Sequence, residues 1–145
     1  MKIIAKNKKA FFEYEILDTF EAGIVLMGCE VKSIREGHIS LLNSFVSVKK
    51  GEVWLKNCYI KTYDKSTAFC PDERQARKLL LNKREILKLQ SEFNEKGLTI
   101  VPLKVYFNND NRIKLEIAVA RGKKLYDKRK TIKEREQKRE LARQV

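Results

Sequence analysis

Three cysteines, one histidine and no long apolar run are what this 145-residue chain has least of. Cys29, Cys58 and Cys70 are odd in number and show no CxxC spacing, and His38 is the one imidazole available to join them. A structural zinc site draws four ligands from close pairs, so no metal centre is expected. The expected state is reduced, partly buried thiols, as in a cytoplasmic protein. No stretch approaches the roughly 20 apolar residues of a membrane span. The first nine residues, rich in Lys, lack the apolar core of a secretory signal.

Catalytic constellations are missing as well. His38 lies beside a Gly and near a Ser with no partner base or acid, and the cysteines sit in apolar surroundings that suit inert thiols. Gly23 and Gly28 flank an apolar run rather than forming a phosphate-cradling loop, and the carboxylates are scattered among Lys and Arg. The chain is expected to be no enzyme and to carry no cofactor.

What the chain does have is positive charge. Lys and Arg number 32 against 19 Asp and Glu, giving a formal charge of +13. Residues 121–145 hold eleven Lys/Arg against four Asp/Glu, with no Pro and, after Gly122, no Gly. More than half of the net charge therefore sits in the final segment, and charge so concentrated requires a polyanion. The remaining basic clusters, Lys6/Lys8/Lys9, Lys32/Arg35, Lys49/Lys50, Arg74/Arg77/Lys78 and Lys83/Arg84, are interleaved with Phe11, Phe12, Phe45, Tyr59 and Tyr63. Cations beside aromatics suit RNA, where phosphates position the strand and stacking or 2′-hydroxyl contacts discriminate.

A hydrophobic content of 43% is enough for one core. Phe12, Tyr14 and Ile16 alternate with glutamates as in a half-buried strand; a turn over 18–23 and a second strand over 24–27 follow. Residues 30–36 predict a short helix stopped by Gly37. Strands over 44–48 and 53–60 flank a hairpin turn at Lys50-Gly51-Glu52. Asp72 with Gln75, and Asn82 with Glu85, predict the capped starts of two helices, the second placing Ile86, Leu89 and Phe93 on one face before Gly97. Strands over 98–107 and 112–120 pair across Asn108-Asn109-Asp110-Asn111. In the last one Ile113, Leu115, Ile117 and Val119 face one way and Lys114 and Glu116 the other. About six antiparallel strands with three helices, mainly β, pack most naturally as a small barrel.

That barrel would occupy residues 1–120 and a basic tail residues 121–145. The tail has good helix formers, yet Arg135–Arg139 and Glu136–Glu140 repel, and Leu125, Ile132, Leu141 and Val145 are too sparse for a packed or membrane-facing stripe. It is expected to be disordered when free and helical when bound.

Several stretches, in order, resemble one family. Asn7-Lys8-Lys9-Ala10, Phe20-Glu21-Ala22-Gly23, Glu30-Val31-Lys32-Ser33-Ile34-Arg35 and Arg77-Lys78-Leu79-Leu80-Leu81-Asn82 are similar to the small protein B, or SsrA-binding protein, family. So are Val101-Pro102-Leu103, Ala120-Arg121-Gly122-Lys123-Lys124 and Asp127-Lys128-Arg129. The resemblance implies an oligonucleotide-binding-like barrel that binds transfer-messenger RNA and, with elongation factor Tu, accompanies it to stalled ribosomes for trans-translation. It places the tRNA-like part of that RNA at Glu21, Leu80, Asn82 and Lys114, to which the basic pair Lys32 and Arg35 is added here. It assigns contacts at the ribosomal decoding centre and mRNA channel to Gly122, Lys123, Lys124, Asp127, Lys128 and Arg129. Tyr126 stands where many relatives carry His, so stacking there is kept and a titratable imidazole is not. Each RNA-binding residue also has a plain structural reading: turn carboxylate for Glu21, core leucine for Leu80, helix cap for Asn82, solvated lysine for Lys114. A general single-stranded RNA-binding or ribosomal protein on the same barrel is the alternative. A monomer in the cytoplasm, with no membrane partner, is expected.

Overall fold

The structure, a computed structural model, describes residues 2–62, 70–93 and 97–123. Nine strands and three helices occur among them. Strand β1 (Lys2–Lys6) and helix α1 (Lys8–Glu13) precede the long strand β2 (Tyr14–Ile24) and helix α2 (Gly28–Arg35). Strands β3 (Ile39–Ser40), β4 (Phe45–Lys49), β5 (Glu52–Lys56), β6 (Tyr59–Ile60) and β7 (Arg77–Leu80) follow. Helix α3 (Lys83–Phe93) then leads into the last pair, β8 (Leu98–Phe107) and β9 (Ile113–Gly122).

All pairings are antiparallel; one sheet closes on itself, and β3 and β6 form a separate two-stranded sheet. The order β8–β4–β5–β7–β2–β9 returns from β9 to β8, while β1 joins the part of β8 that β4 leaves uncovered. Closure removes the edges of the six ring strands, the standard protection of a small antiparallel sheet against pairing with other chains, and β1, paired with β8 alone, keeps one edge open. Phe20, Ala22, Val46, Val48, Val53, Leu55, Leu79, Ile100, Val105, Leu115, Ile117 and Val119 fill the interior, because alternate residues of a strand point to one side. Ile34 of α2 and Leu89 of α3 complete that core. The barrel expected from the sequence is the fold observed.

Three slips interrupt the ladders, the first in β1–β8 between Ile3 and Ala5. The β2–β9 register slips between Ile16 and Asp18, and the β8–β9 register between Pro102 and Lys104. Pro102 has no N–H to give a ladder, so a bulge is where a strand tolerates it. Helix α1 lies over this wall, its Ala10 packed with Val101, Leu103, Ala118 and Ala120. Asn7 fastens the helix: its Oδ1 accepts from the Ala10 N–H at 3.2 Å, its Nδ2 donates to the Pro102 carbonyl at 2.9 Å, and its backbone N–H donates to Leu103 at 2.7 Å.

Several sequence expectations hold in detail. Helix α2 stops at Gly37, whose φ is +82°. The β4–β5 turn has Lys50 and Gly51 at φ 52° and 75°, the handedness that a tight hairpin needs. Asn82 and Glu85 form the reciprocal cap of α3, with Leu89 buried and Ile86 and Phe93 against the core.

Others fail for identifiable reasons. Phe12 lies in α1 rather than in a strand, because the Asn7 cap and its tie to β8 override the β preference of its aromatics. The expected turn over 18–23 is the middle of β2, and of residues 24–27 only Ile24 is strand. Asp18, a turn-type residue, sits at the bulge instead, where it bonds the Thr19 N–H at 2.9 Å and Lys88 at 2.6 Å. No helix starts at Asp72. Its side chain accepts from the Arg74 N–H at 2.8 Å and its carbonyl from Gln75 at 3.2 Å, a turn made with the chemistry of a cap. The third helix is α1, and strands β1, β3 and β7 were not anticipated, so nine strands stand where about six were expected.

The thiol expectation also needs correction. Cys29 and Cys70 form a disulfide with Cα atoms 5.7 Å apart, although 41 residues separate them in the chain. Spacing alone could not show that α2 and the segment before β7 meet. Cys58 remains a buried free thiol, and burial pushes it up to about 11. No helix among the described residues is long and apolar enough to cross a membrane. Strand β9 runs two residues past Ala120, and the Lys123 N–H then donates to the Glu13 carbonyl at 2.8 Å. The expectations for residues 124–145 lie outside the described residues.

Candidate nucleic-acid interface

The strand registers assemble one continuous row on the outer wall. Leu80 of β7 is opposite Gly23 of β2, Gly23 is opposite Lys114 of β9, and Lys114 is opposite Tyr106 of β8. Leu80 is 54% exposed, unusual for a leucine in a barrel strand, and follows the fully buried Leu79 by one residue. Gly23 leaves a notch in the row, since a Cβ there would stand 3.4 Å from Leu80 Cβ. The result is an open groove of about 400 Å³ bordered by Leu80, Gly23 and Lys114, with Arg35 from α2 and Arg112 from the last turn along its edge.

The next row down is ionic. Glu21 is opposite Glu116, and Glu116 is opposite Lys104, with Lys104 Nζ 3.3 Å from Glu116 and 5.8 Å from the centre of the Tyr106 ring. The Tyr106 hydroxyl donates to Glu21 Oε2. Burial of the phenol, reinforced by that bond to a carboxylate, holds Tyr106 protonated well above its ordinary range. The bond also fixes the orientation of Glu21. An ionised carboxylate offers about four acceptor positions, so most stay available on this exposed residue.

The model of the family described as "SmpB protein" matches residues 4–145. The chain belongs to the SmpB family. It is 56% identical over 140 residues to a protein named SsrA-binding protein from Sulfurihydrogenibium sp., covering 97% of this chain and 91% of the relative. The SsrA-binding protein of Chlorobaculum tepidum is 55% identical over 135 residues, covering 93% and 86%. A solved structure described as "tmRNA-SmpB: a journey to the center of the bacterial ribosome" superposes with a TM-score of 0.70 at 46% identity, covering 83% of this chain and 85% of that one.

Within this SmpB barrel, the residues singled out from the sequence fall into distinct groups. Leu80, Lys114 and Arg35 line the groove, and Glu21 sits in the neighbouring row. Lys32 is exposed one turn before Arg35 on α2. Asn82 is two residues past Leu80, and its Oδ1 takes the Glu85 N–H at 2.9 Å; the cap uses the oxygen and leaves the amide nitrogen outside it. Gly122 pairs with Tyr14 at the far end of β9, and Lys123 Nζ reaches the Phe11 carbonyl at 3.3 Å. Lys124, Tyr126, Asp127, Lys128 and Arg129 lie outside the described residues.

Arg77 does not belong among the surface cations. Its side chain is 1% exposed and pairs with Glu30, 4% exposed, at 2.5 Å. Its remaining N–H groups donate to the carbonyls of Cys58 at 2.8 Å and of Gln75 and Glu73 at 3.1 Å. A planar fork of five donors can bridge a carboxylate and several carbonyls at once, which is why Arg rather than Lys can occupy this spot. Arg74 lies over the Tyr59 ring at 5.4 Å, so that aromatic already has a partner. Phe11 and Phe45 are exposed, Phe12 is half-buried, and Tyr63 lies outside the described residues. His38 is exposed 3.6 Å from Glu36, and no group of three His, Cys, Asp or Glu able to hold a metal occurs among the described residues.

Sequence reasoning missed Tyr106 and the Glu30–Arg77 pair. Tyr106 had no signal of its own, since an aromatic in a strand reads as core. Glu30 and Arg77 did give one: each is a charged residue on a core-facing side, shared with Ile34 in α2 and with Leu79 in β7.

Proposed function

We propose that this chain binds the tRNA-like domain of transfer-messenger RNA and brings it to stalled ribosomes for trans-translation, acting as a binding protein and not as an enzyme. The observation that carries the reading is the row Leu80–Gly23–Lys114 beside a Glu21 held in place by Tyr106. The names of the relatives, SsrA-binding protein, and the tmRNA and ribosome named with the solved SmpB structure support it.

Each part has its own task. Lys114, Arg35, Arg112 and Lys32 contact phosphates, which sets position without reading sequence. Leu80 covers an unstacked base or sugar. Glu21 and the Asn82 amide exchange hydrogen bonds with base edges or 2′-hydroxyls, which favours folded RNA over a generic polyanion. A carboxylate in the middle of a cationic wall would only weaken nonspecific phosphate binding, so its fixed orientation supports a discriminating role.

Residues 122–129, including Gly122, Lys123, Lys124, Tyr126, Asp127, Lys128 and Arg129, start the ribosome-contacting tail. As a helix of about 20 residues it would extend about 30 Å. It enters the mRNA channel past the decoding centre only when message is absent, since two charged chains compete for one path. Elongation factor Tu joins the complex, the protein acts as a monomer, and its compartment is the cytoplasm, where ribosomes are. The closed ring, which leaves only the edge of β1 open among its described strands, supports the monomer.

A gel-shift series tests this reading. Acceptor-arm and elbow fragments of the tRNA-like domain should bind more tightly than an unstructured RNA of equal length. Single substitutions Glu21→Ala, Leu80→Ala and Asn82→Ala should narrow that preference, and Lys114→Ala should lower the salt slope by about one. Equal affinity for the unstructured RNA would instead assign the barrel to general single-strand or ribosomal RNA binding. Deleting 124–145 should leave RNA affinity intact and abolish ribosome rescue.

A further inference from the structure

A second outer surface, on the β4–β5 hairpin, has no part in the groove. Val53 and Leu55 of β5 are buried, so Trp54 between them turns outward, half-buried, facing Ser47 of β4 on one side and Lys78 of β7 on the other. A shallow depression beside the indole is bordered by Lys49, Lys50 and Lys56. Glu52 is the one carboxylate lining it among the described residues. It accepts from Trp54 Nε1 at 3.3 Å and stands 3.7 Å from Lys78. Its bond engages the indole N–H, and the outward part of the ring stands as an apolar plate with Lys49, Lys50 and Lys56 beside it and Lys78 on the neighbouring strand. One register step away, Phe45, 45% exposed, is opposite Lys56.

We propose that Trp54 is a stacking platform for an unpaired RNA base, with Lys49, Lys50, Lys56 and Lys78 taking the adjoining phosphates. This rests on the RNA-binding reading of the groove. Every base has a π face, so such a plate accepts any nucleotide, while the lysine excess selects for a polyanion over an apolar protein segment. Position supports the assignment too. Lys78 and Leu80 are two residues apart on β7 and face outward together, so the plate adjoins the groove across one strand. An RNA strand leaving the groove over β7 meets the indole next.

Trp54 is the sole tryptophan of the chain, so its emission reports this surface alone. The full chain would be titrated with the tRNA-like domain of transfer-messenger RNA, following tryptophan emission and gel mobility in parallel. Quenching should saturate together with the mobility shift. Trp54→Ala should weaken binding about tenfold and Trp54→Phe much less, as loss of one stacked base predicts. The variant Lys49→Ala/Lys50→Ala/Lys56→Ala, which leaves the indole and the core in place, should flatten the salt slope by two to three units (about one per phosphate lost). A full mobility shift with unchanged emission, or an unaltered salt slope in the lysine variant, would overturn the Trp54 site and spare the groove. Absence of any shift in the unmodified chain would overturn the RNA reading, and this inference with it.

Discussion

The two halves of β9 carry opposite solutions on one outer face. Ala118 and Ala120 are small, buried and covered by α1, whereas Lys114 and Glu116, on the same side of the same strand, stay partly exposed. Alanine lets a helix approach closely; a long cation keeps one off. The strand thus marks which wall the protein closes for itself and which it leaves for a partner. A parallel contrast separates its cations. Arg77, enclosed with Glu30 and three carbonyls, spends its charge on architecture, while Lys114 and Arg35 border a groove.

The sharpest way to break this contrast is Arg77→Met. It strands the Glu30 carboxylate in the interior and should cost about 3–5 kcal/mol in urea unfolding, with Glu30→Met/Arg77→Met recovering most of the loss. A cost near that of a surface change would return Arg77 to the RNA-facing set. Reducing the Cys29–Cys70 bridge should cost about 2–4 kcal/mol, because it releases a 41-residue loop in the unfolded chain. Thermal melts with and without reductant measure this, and the groove residues should bind RNA equally in both states. Ala118→Leu overpacks the α1 wall and should cost about 1–3 kcal/mol, whereas Lys114→Ala on the open half should stay within about 0.5 kcal/mol. Equal costs would mean that the halves of β9 do not differ.

The smallest effect is a pH dependence. The protonated Tyr106 phenol is favoured by the fold, so its stabilisation is complete below its unfolded value near 10 and is lost as the solution becomes more alkaline. Tyr106→Phe should flatten that alkaline limb in a pH series of unfolding midpoints and should leave the neutral-pH preference for folded RNA weaker, through a loosened Glu21.

Legibility followed the locality of each signal. The β8–β9 pair and α3 were readable because alternation, a four-residue turn and a capping box are complete within a few neighbours. Strand β2 was not, because Asp18 and Gly23 are turn-type residues used for a bulge and for a notch beside Leu80. Asp72 misled for a related reason, since one side-chain oxygen caps a helix or closes a turn with the same bond. Of the groove, the resemblance supplied Glu21, Leu80, Asn82 and Lys114, and the basic pattern supplied Arg35. Residues alone could not choose between contact and core for Leu80; its outward rotation beside a buried Leu79 is a property of the assembled sheet. Tyr106 was hidden because its partner is 85 residues away in sequence.

Strand β9 has one more consequence. Lys114 borders the groove and Gly122 is the last rung before the basic segment, eight residues further along an unbulged strand. At about 3.3 Å per residue that is a rigid spacer of about 26 Å. Sheet partners brace it on both sides, and the Lys123–Glu13 bond clamps its far end. Whatever sits in the groove therefore fixes the place from which the final segment sets out, as a bracket of set length fixes what hangs from it. Lengthening β9 by two residues after Ala120, which preserves its inside and outside faces, would give up the Lys123–Glu13 clamp and move that departure point by about 6–7 Å while leaving the groove in place.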